Sequence, residues 1–339
     1  MDIFEASTAN KSKPSYIPFR WLVRLFVRSE NVNQRARAVA VRFILGCMDE
    51  ADRLHRIAQA KLKHFAWDLA NLRWARWDGF NAVAFHERGR YRIHIAIEAP
   101  ATLLSVAHEL SSVGSLPAGE TTGTTQSSVH CWLENVSSEA EVTKAARQWA
   151  MDGFDLLYYH ELSHVTAGHT CFPLTRPLQR RALEFDADYN AGGYFVGALT
   201  TAMIPTADIV ERLIHAALLV STILKAVSKP TDAYHYPTVR AIAFMSGGFS
   251  ILARPLPAQL AIAQVQQWEA MAVQRLTQFQ TLLALSSLRS FAGDPVALMD
   301  DTIALNGVTI PDREALKNGP LSKLSLASHI KAQQARTES

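Results

Sequence analysis

The chain has 339 residues, 48% hydrophobic and 19% charged, with 16 Gly and 14 Pro, which is too apolar for disorder and too interrupted for a fibre or coiled coil. Its three cysteines, Cys47, Cys131 and Cys171, exclude a disulfide-stapled secreted scaffold and fit a reducing compartment. The formal net charge of +3 divides unevenly, because residues 1–92 hold 17 Lys/Arg against 9 Asp/Glu and the remaining 247 hold 17 against 22.

The opening segment, MDIFEASTANKSKPSYIP, lacks the basic start, apolar core and small-residue cleavage site of a secretory signal, so a cytoplasmic location is expected. Within residues 16–30, Arg20, Arg24 and Arg28 stand beside Trp21, Leu22, Leu25 and Phe26. Such a basic amphipathic helix suits peripheral contact with an anionic membrane or acidic partner, or equally a solvated face packed on the rest of the chain. Leu54, Ala58, Leu62, Phe65, Leu69 and Leu72 recur at three- and four-residue steps and predict helix through 31–77. Past Asp78-Gly79, Tyr91, Ile93, Ile95 and Ile97 alternate with Arg92, His94, Ala96 and Glu98, the pattern of a half-buried strand over 91–98. Residues 113–128 read as a Gly/Ser/Thr-rich loop and 129–133 as a short strand. Helices are then predicted over 138–169, 177–200, 206–228, 237–253 and 257–291.

No transmembrane segment is expected: the longest uncharged run, 189–207, carries Asn190, Gly192, Gly193, Gly197 and Pro205 and is too polar for lipid. Nucleic acid is not an expected partner, since a pI of 8.7 is modest and no zinc finger or aromatic-Gly RNA-binding signature is present. The expected fold class is α+β, predominantly helical. Three regions are expected: a basic helical part (1–88), a core (89–200) and a helical C-terminal part (201–339).

The chemistry concentrates in Tyr158-Tyr159-His160-Glu161-Leu162-Ser163-His164, an H-E-x-x-H in a predicted helix. Two His four apart are displaced by only about 40° around a helix and can chelate one cation, while the intervening Glu leans about 100° aside. That offset makes His160 and His164 candidate ligands and Glu161 a candidate general base, with Zn²⁺ the cation that suits neutral imidazoles. By contrast, His108-Glu109-Leu110-Ser111 lacks the second His and receives no role. His169 is out of register with the extended H-E-x-x-H-x-x-G-x-x-H motif, because Ala167 and Thr170 stand where Gly and His belong, and on a continuous helix it would point away from the ligand face.

A catalytic zinc needs a third protein ligand, and Glu184 in Leu183-Glu184-Phe185-Asp186-Ala187-Asp188 supplies it from a second helix, with Asp186 or Asp188 as fallbacks. Glu184 and Asp188 share a face, so Asp188 can instead accept an N–H from a ligating imidazole. For transition-state stabilisation, His235 and Arg240 are the candidates, ahead of Tyr236, in Tyr234-His235-Tyr236-Pro237-Thr238-Val239-Arg240.

Taken together, His160-Glu161-x-x-His164, Glu184-x-x-Ala187-Asp188 and His235-Tyr236-Pro237-x-x-Arg240 resemble the gluzincin class of zinc metallopeptidases. The set is similar to that of the membrane-associated HtpX-like peptidases, in which a Glu-x-x-x-Asp and a His-Pro-x-x-x-x-Arg motif follow, although here the late motif is spaced differently and no spanning helices are predicted. A soluble relative fits better. Length and helical character resemble the Lit-type phage-exclusion peptidases, cytoplasmic H-E-x-x-H proteins that cleave elongation factor Tu during phage infection.

This resemblance covers about 80 residues and implies a zincin-like core, the H-E-x-x-H helix packed on the E-x-x-A-D helix beside a small sheet. It also implies Zn²⁺ as cofactor and a protein or peptide substrate. An extended substrate would pair with an edge strand, a role open to 91–98 alongside that of an ordinary sheet strand. The competing expectation is a non-catalytic zinc-stabilised helical scaffold or regulatory binding protein built from the same ligands.

Overall fold

The computed structural model describes residues 34–63, 67–75, 80–112, 143–171, 177–227 and 237–285. Helix α1 (Gln34–Lys63) turns Ile44, Cys47, Met48, Ala51, Leu54, Ala58 and Leu62 into the core at three- and four-residue steps, as its periodicity predicts. It stops well short of the expected residue 77. Beyond it, Leu69 bridges Tyr91, Ala70 N donates to Tyr91 O (2.8 Å) and Tyr91 N donates to Asp68 O (2.9 Å), so the backbone is committed to an extended partner. Trp67 stacks on the Tyr91 ring at 5.0 Å. Leu69 is buried and Leu72 half-buried there, in extended chain rather than helix.

The segment leads into a three-stranded sheet of order β1-β3-β2, formed by β1 (Arg73–Ala75), β2 (Ala82–Glu87) and β3 (Arg90–Ala96). The predicted strand is therefore present, beginning one residue earlier and ending two residues earlier. Because β1 pairs with it in parallel and β2 antiparallel, β3 is the central strand and not an edge, which removes it as a substrate-pairing edge. The β2–β3 turn is Arg88-Gly89, with φ of 52° and 77°, two successive left-handed residues that match the right-handed twist of a tight hairpin. Ile97 and Glu98 then turn the chain into α2 (Ala99–Ser112), a helix the sequence reading did not anticipate.

Helix α3 (Lys144–Thr166) begins at Thr143, whose Oγ1 accepts from Ala146 N at 3.0 Å. It is followed by a short 3₁₀ turn (His169–Cys171), then α4 (Pro177–Thr201), α5 (Thr206–Val227), α6 (Pro237–Ala253) and α7 (Ala258–Leu285). Helices α4, α5 and α6 match the expected ranges to within a residue, with Pro at the first helical position of α4 and α6, whereas α3 ends at Thr166, short of the expected 169; residues 138–142 and 286–291 of the expected helices lie outside the described residues. Helix α3 lies at the centre, packed on α2, α4, α5 and β2. Its buried Asp152 is clamped by Arg212 of α5 through Nε (3.0 Å) and Nη2 (2.5 Å).

Helices α4 and α6 cross in near backbone contact. A Cβ added at Gly192 would overlap the Phe244 carbonyl oxygen, and one added at Gly247 would overlap that of Tyr189.

One hydrophobic core runs from Val39 to Phe279 and passes through both expected region boundaries, at 88 and 200. Among the described residues, the chain is mostly helical with one small sheet, and no helix is long and apolar enough to cross a membrane. The segments 16–30, 113–128 and 129–133, for which a basic helix, a loop and a strand were expected, lie outside the described residues.

Candidate metal centre

The C-terminal half of α3 is not amphipathic, because every residue from Leu156 to Ser163 is buried between neighbouring elements. His160 and Glu161 are therefore charged or polar groups in the interior, each 5% exposed, and burial of such groups demands partners. Helix α4 supplies them. His160 Nε2 lies 3.1 Å from His164 Nε2 and 3.3 Å from Glu184 Oε2, and His164 Nε2 lies 3.7 Å from Glu184 Oε1. Three ligand atoms from two helices converge on one point.

The outer faces of the imidazoles are also engaged. Asp188 Oδ1 is 2.7 Å from His160 Nδ1, a close charge contact that is not in line for a hydrogen bond, and the fully buried carboxylate favours a proton on that nitrogen. In the neutral ring the lone pair then falls on Nε2, directed at the convergence point. His164 Nδ1 faces His169 Nδ1 at 3.1 Å, and His169 Nε2 faces Asp186 Oδ2 at 3.1 Å. Asp186 and Asp188 each stand behind an imidazole, and among the described residues it is the Glu184 carboxylate that reaches the convergence point of His160 and His164.

Charge and burial oppose each other here. Burial alone would lower the His160 pKa, but the carboxylates of Asp188 and Glu184 outweigh it and raise it to about 10. The attraction that holds a proton on that ring is the attraction a cation would feel. Burial pushes the Glu184 carboxyl up, and the two imidazoles with Arg240 overcome it and hold it below its ordinary range. His164 is driven down by burial, against Glu184, and stays neutral, the form a metal requires. Glu161 is raised to about 7, by burial first and by Glu184, against His160, Arg240 and a hydrogen bond from the Ala84 backbone of β2. A carboxyl poised near neutrality beside a cation site is equipped to move protons.

Arg240, in the first turns of α6, is buried and meets Asp188 in a two-pronged contact, Nε to Oδ2 at 2.8 Å and Nη2 to Oδ1 at 2.9 Å. Nη2 also reaches Glu184 Oε2 at 3.4 Å. The residue expected to stabilise a transition state thus joins the site from behind, holding the α4 carboxylates against α6, next to the apolar contact of Phe185, Val239 and Ala243. His235, its companion in that expectation, lies outside the described residues. Replacing Arg240 by Met should cost about 3–5 kcal/mol, since it leaves a buried carboxylate without its guanidinium. Urea denaturation of the metal-free protein measures this, and Lys at 240 should recover only part of the loss because one ammonium cannot reproduce the fork.

The residue that sequence reasoning placed wrongly is His169. It is not on a continuous helix, because α3 ends at Thr166 and Gly168, with φ of 76°, reverses the chain. That glycine was the available signal.

Comparison with protein-family models, with curated proteins and with solved structures gives no match to the chain.

Proposed function

We propose that the chain is a zinc-dependent endopeptidase in which His160, His164 and Glu184 hold the metal and Glu161 is the general base. The observation that carries this is the convergence of two imidazole nitrogens and a carboxylate at 3.1, 3.3 and 3.7 Å. The 3.1 and 3.3 Å separations, which share His160 Nε2, lie close to the edge of about 3.4 Å of a tetrahedron whose donors sit at roughly 2.0–2.1 Å from zinc, while the 3.7 Å separation is to the other Glu184 oxygen, Oε1. The N₂O donor set is that of a hydrolytic zinc. When bound, the ion would supply Lewis acidity toward a carbonyl oxygen and lower the pKa of water.

The chain's own groups do the rest. Glu161 accepts the proton of the attacking water and passes it to the departing amine nitrogen as the peptide bond breaks. Asp188 and Arg240 hold His160 and Glu184 in place. With β3 central, the edge for an extended substrate passes to β2, whose Ala84 backbone already touches Glu161. The resemblance to gluzincins supports a zincin-like core and a protein substrate, and that to the Lit-type group supports a cytoplasmic phage-exclusion or regulatory protease.

Over a non-catalytic zinc scaffold, the catalytic reading is favoured because the ligand group found among the described residues has three members and leaves a coordination position for a reactant. A scaffold also gives no reason to bury Glu161 beside it. The purified chain should carry one zinc and cleave an unfolded protein substrate, with activity removed by a chelator and restored by zinc. His160→Ala and Glu184→Ala should each reduce zinc to near zero by elemental analysis; unchanged stoichiometry would dismiss this ligand set.

A further inference from the structure

We propose that His169, anchored by Asp186, is a positioning residue that sets the tautomer of His164. The inference rests on the metal reading above and concerns how the site is made ready for its ion.

It begins with the turn after α3. Ala167 N donates to Ser163 O (2.9 Å) and Gly168 N to Val165 O (3.0 Å), and the left-handed Gly168 folds the next residue back along the helix. His169 is thereby buried to 5% exposure with its Nδ1 3.1 Å from the Nδ1 of His164. Two imidazole nitrogens at that distance form a hydrogen bond only if one carries the proton and the other a lone pair. The far side of His169 decides which. Its Nε2 lies 3.1 Å from Asp186 Oδ2, a carboxylate oxygen that also takes a hydrogen bond from Asn190, so Nε2 donates there. With its ring proton on Nε2, His169 offers its lone pair at Nδ1, and His164 donates to it. The remaining nitrogen of His164, Nε2, is left with a lone pair aimed at the convergence point.

Asn190 Nδ2 also donates to Asp186 Oδ2 at 2.9 Å, which fixes the oxygen between two donors, one from the turn and one from α4. The two ligand imidazoles thus reach the same tautomer by different routes: His160 through Asp188 directly, His164 through a neutral imidazole and then a carboxylate. Without His169, the Nδ1–H of His164 loses its acceptor inside the protein, or the proton moves to Nε2 and occupies the ligand position.

The test is zinc affinity, read by competition with a chromophoric chelator on the full chain, with helical content and thermal unfolding of the metal-free variants as controls. His169→Leu should weaken zinc binding by roughly 10- to 100-fold, the range for lost outer-shell partners of ligating histidines. His169→Asn places an amide oxygen where Nδ1 stood and should recover most of that loss. Asp186→Leu should weaken binding, Asp186→Asn, which keeps an acceptor oxygen, should not, and in the His169→Asn background Asp186→Leu should have no further effect. Equal losses for Leu and Asn at 169, or wild-type affinity in His169→Leu, would overturn the relay while leaving the metal site standing. Should His169→Leu fail to fold, the comparison at the partly exposed Asp186 decides alone, and equal affinities there reject the relay. Failure of the wild-type chain to bind zinc would instead reject the metal reading itself.

Discussion

Glu161→Gln should leave zinc content unchanged and lower kcat for peptide cleavage by about a hundred- to ten-thousand-fold, the usual contribution of a positioned general base. The amide is nearly the same size as the carboxyl and occupies a 5% exposed position, so the fold and the ligand trio should survive. What it loses is the ability to take a proton from water and deliver it to the leaving nitrogen. Steady-state kinetics with elemental analysis on the same preparation checks both halves, and a variant that retains zinc and activity would remove Glu161 from the mechanism. The sign of the pH dependence follows. Glu161 works ionised, and burial raises its carboxyl to about 7 in the metal-free protein, so activity should fall on acidification, about tenfold per pH unit below its pKa. A bound cation stabilises the ionised form and moves that limb to lower pH.

A second large effect is expected away from the chemistry. In an ordinary helix, Gly→Ala stabilises by up to about 1 kcal/mol, and Gly197→Ala should do so, since nothing lies within 4 Å of the added Cβ. Gly247→Ala should do the opposite. Its Cβ would overlap the Tyr189 carbonyl oxygen, backbone that cannot rotate aside, so α4 and α6 must separate, at a cost of about 3 kcal/mol or more. Because α4 carries Glu184 and Asp188 and α6 carries Arg240, the same shift should weaken zinc binding. Thermal unfolding and zinc titration of the two variants, one on each side of wild type, measure the effect; similar shifts for both would show that the crossing is not tight.

The helices were legible where polar and apolar residues segregate, as in α1, which buries a periodic stripe, and where Pro177 and Pro237 mark two starts. Helix α2 was hidden for the converse reason. From Ala101 to Ala107 every residue is buried, so no polar face marks a period. Strand β2 was missed because Ala-Val-Ala-Phe offers no alternation and its hairpin turns on Arg88-Gly89, which lacks the Asn-Gly or Asp-Gly signature. At the candidate site, His160, Glu161, His164, Glu184 and Asp188 could be assigned because helical spacing dictates which side chains share a face. Arg240 was found but given a substrate-facing role; only the packing of α6 on α4 shows that its fork is filled by Asp188. His169 escaped because spacing rules assume the helix continues, and this one ends three residues earlier, at Thr166.

The clamp from Arg240 to Asp188 also orders events as the protein folds. The two imidazoles are one helical turn apart and Glu184 is 20 residues beyond His164, whereas Arg240 lies 52 residues beyond Asp188. Longer loops close at greater entropic cost, by about 0.6 kcal/mol per doubling of length. The α3–α4 hairpin should therefore gather its proposed ligands early, while Asp188 has His160 beside it but not yet the Arg240 guanidinium. Docking of α6 adds the Arg240 guanidinium to that carboxylate and completes the enclosure, so on the proposed function tight retention of zinc during refolding should coincide with the docking of residues 237–253.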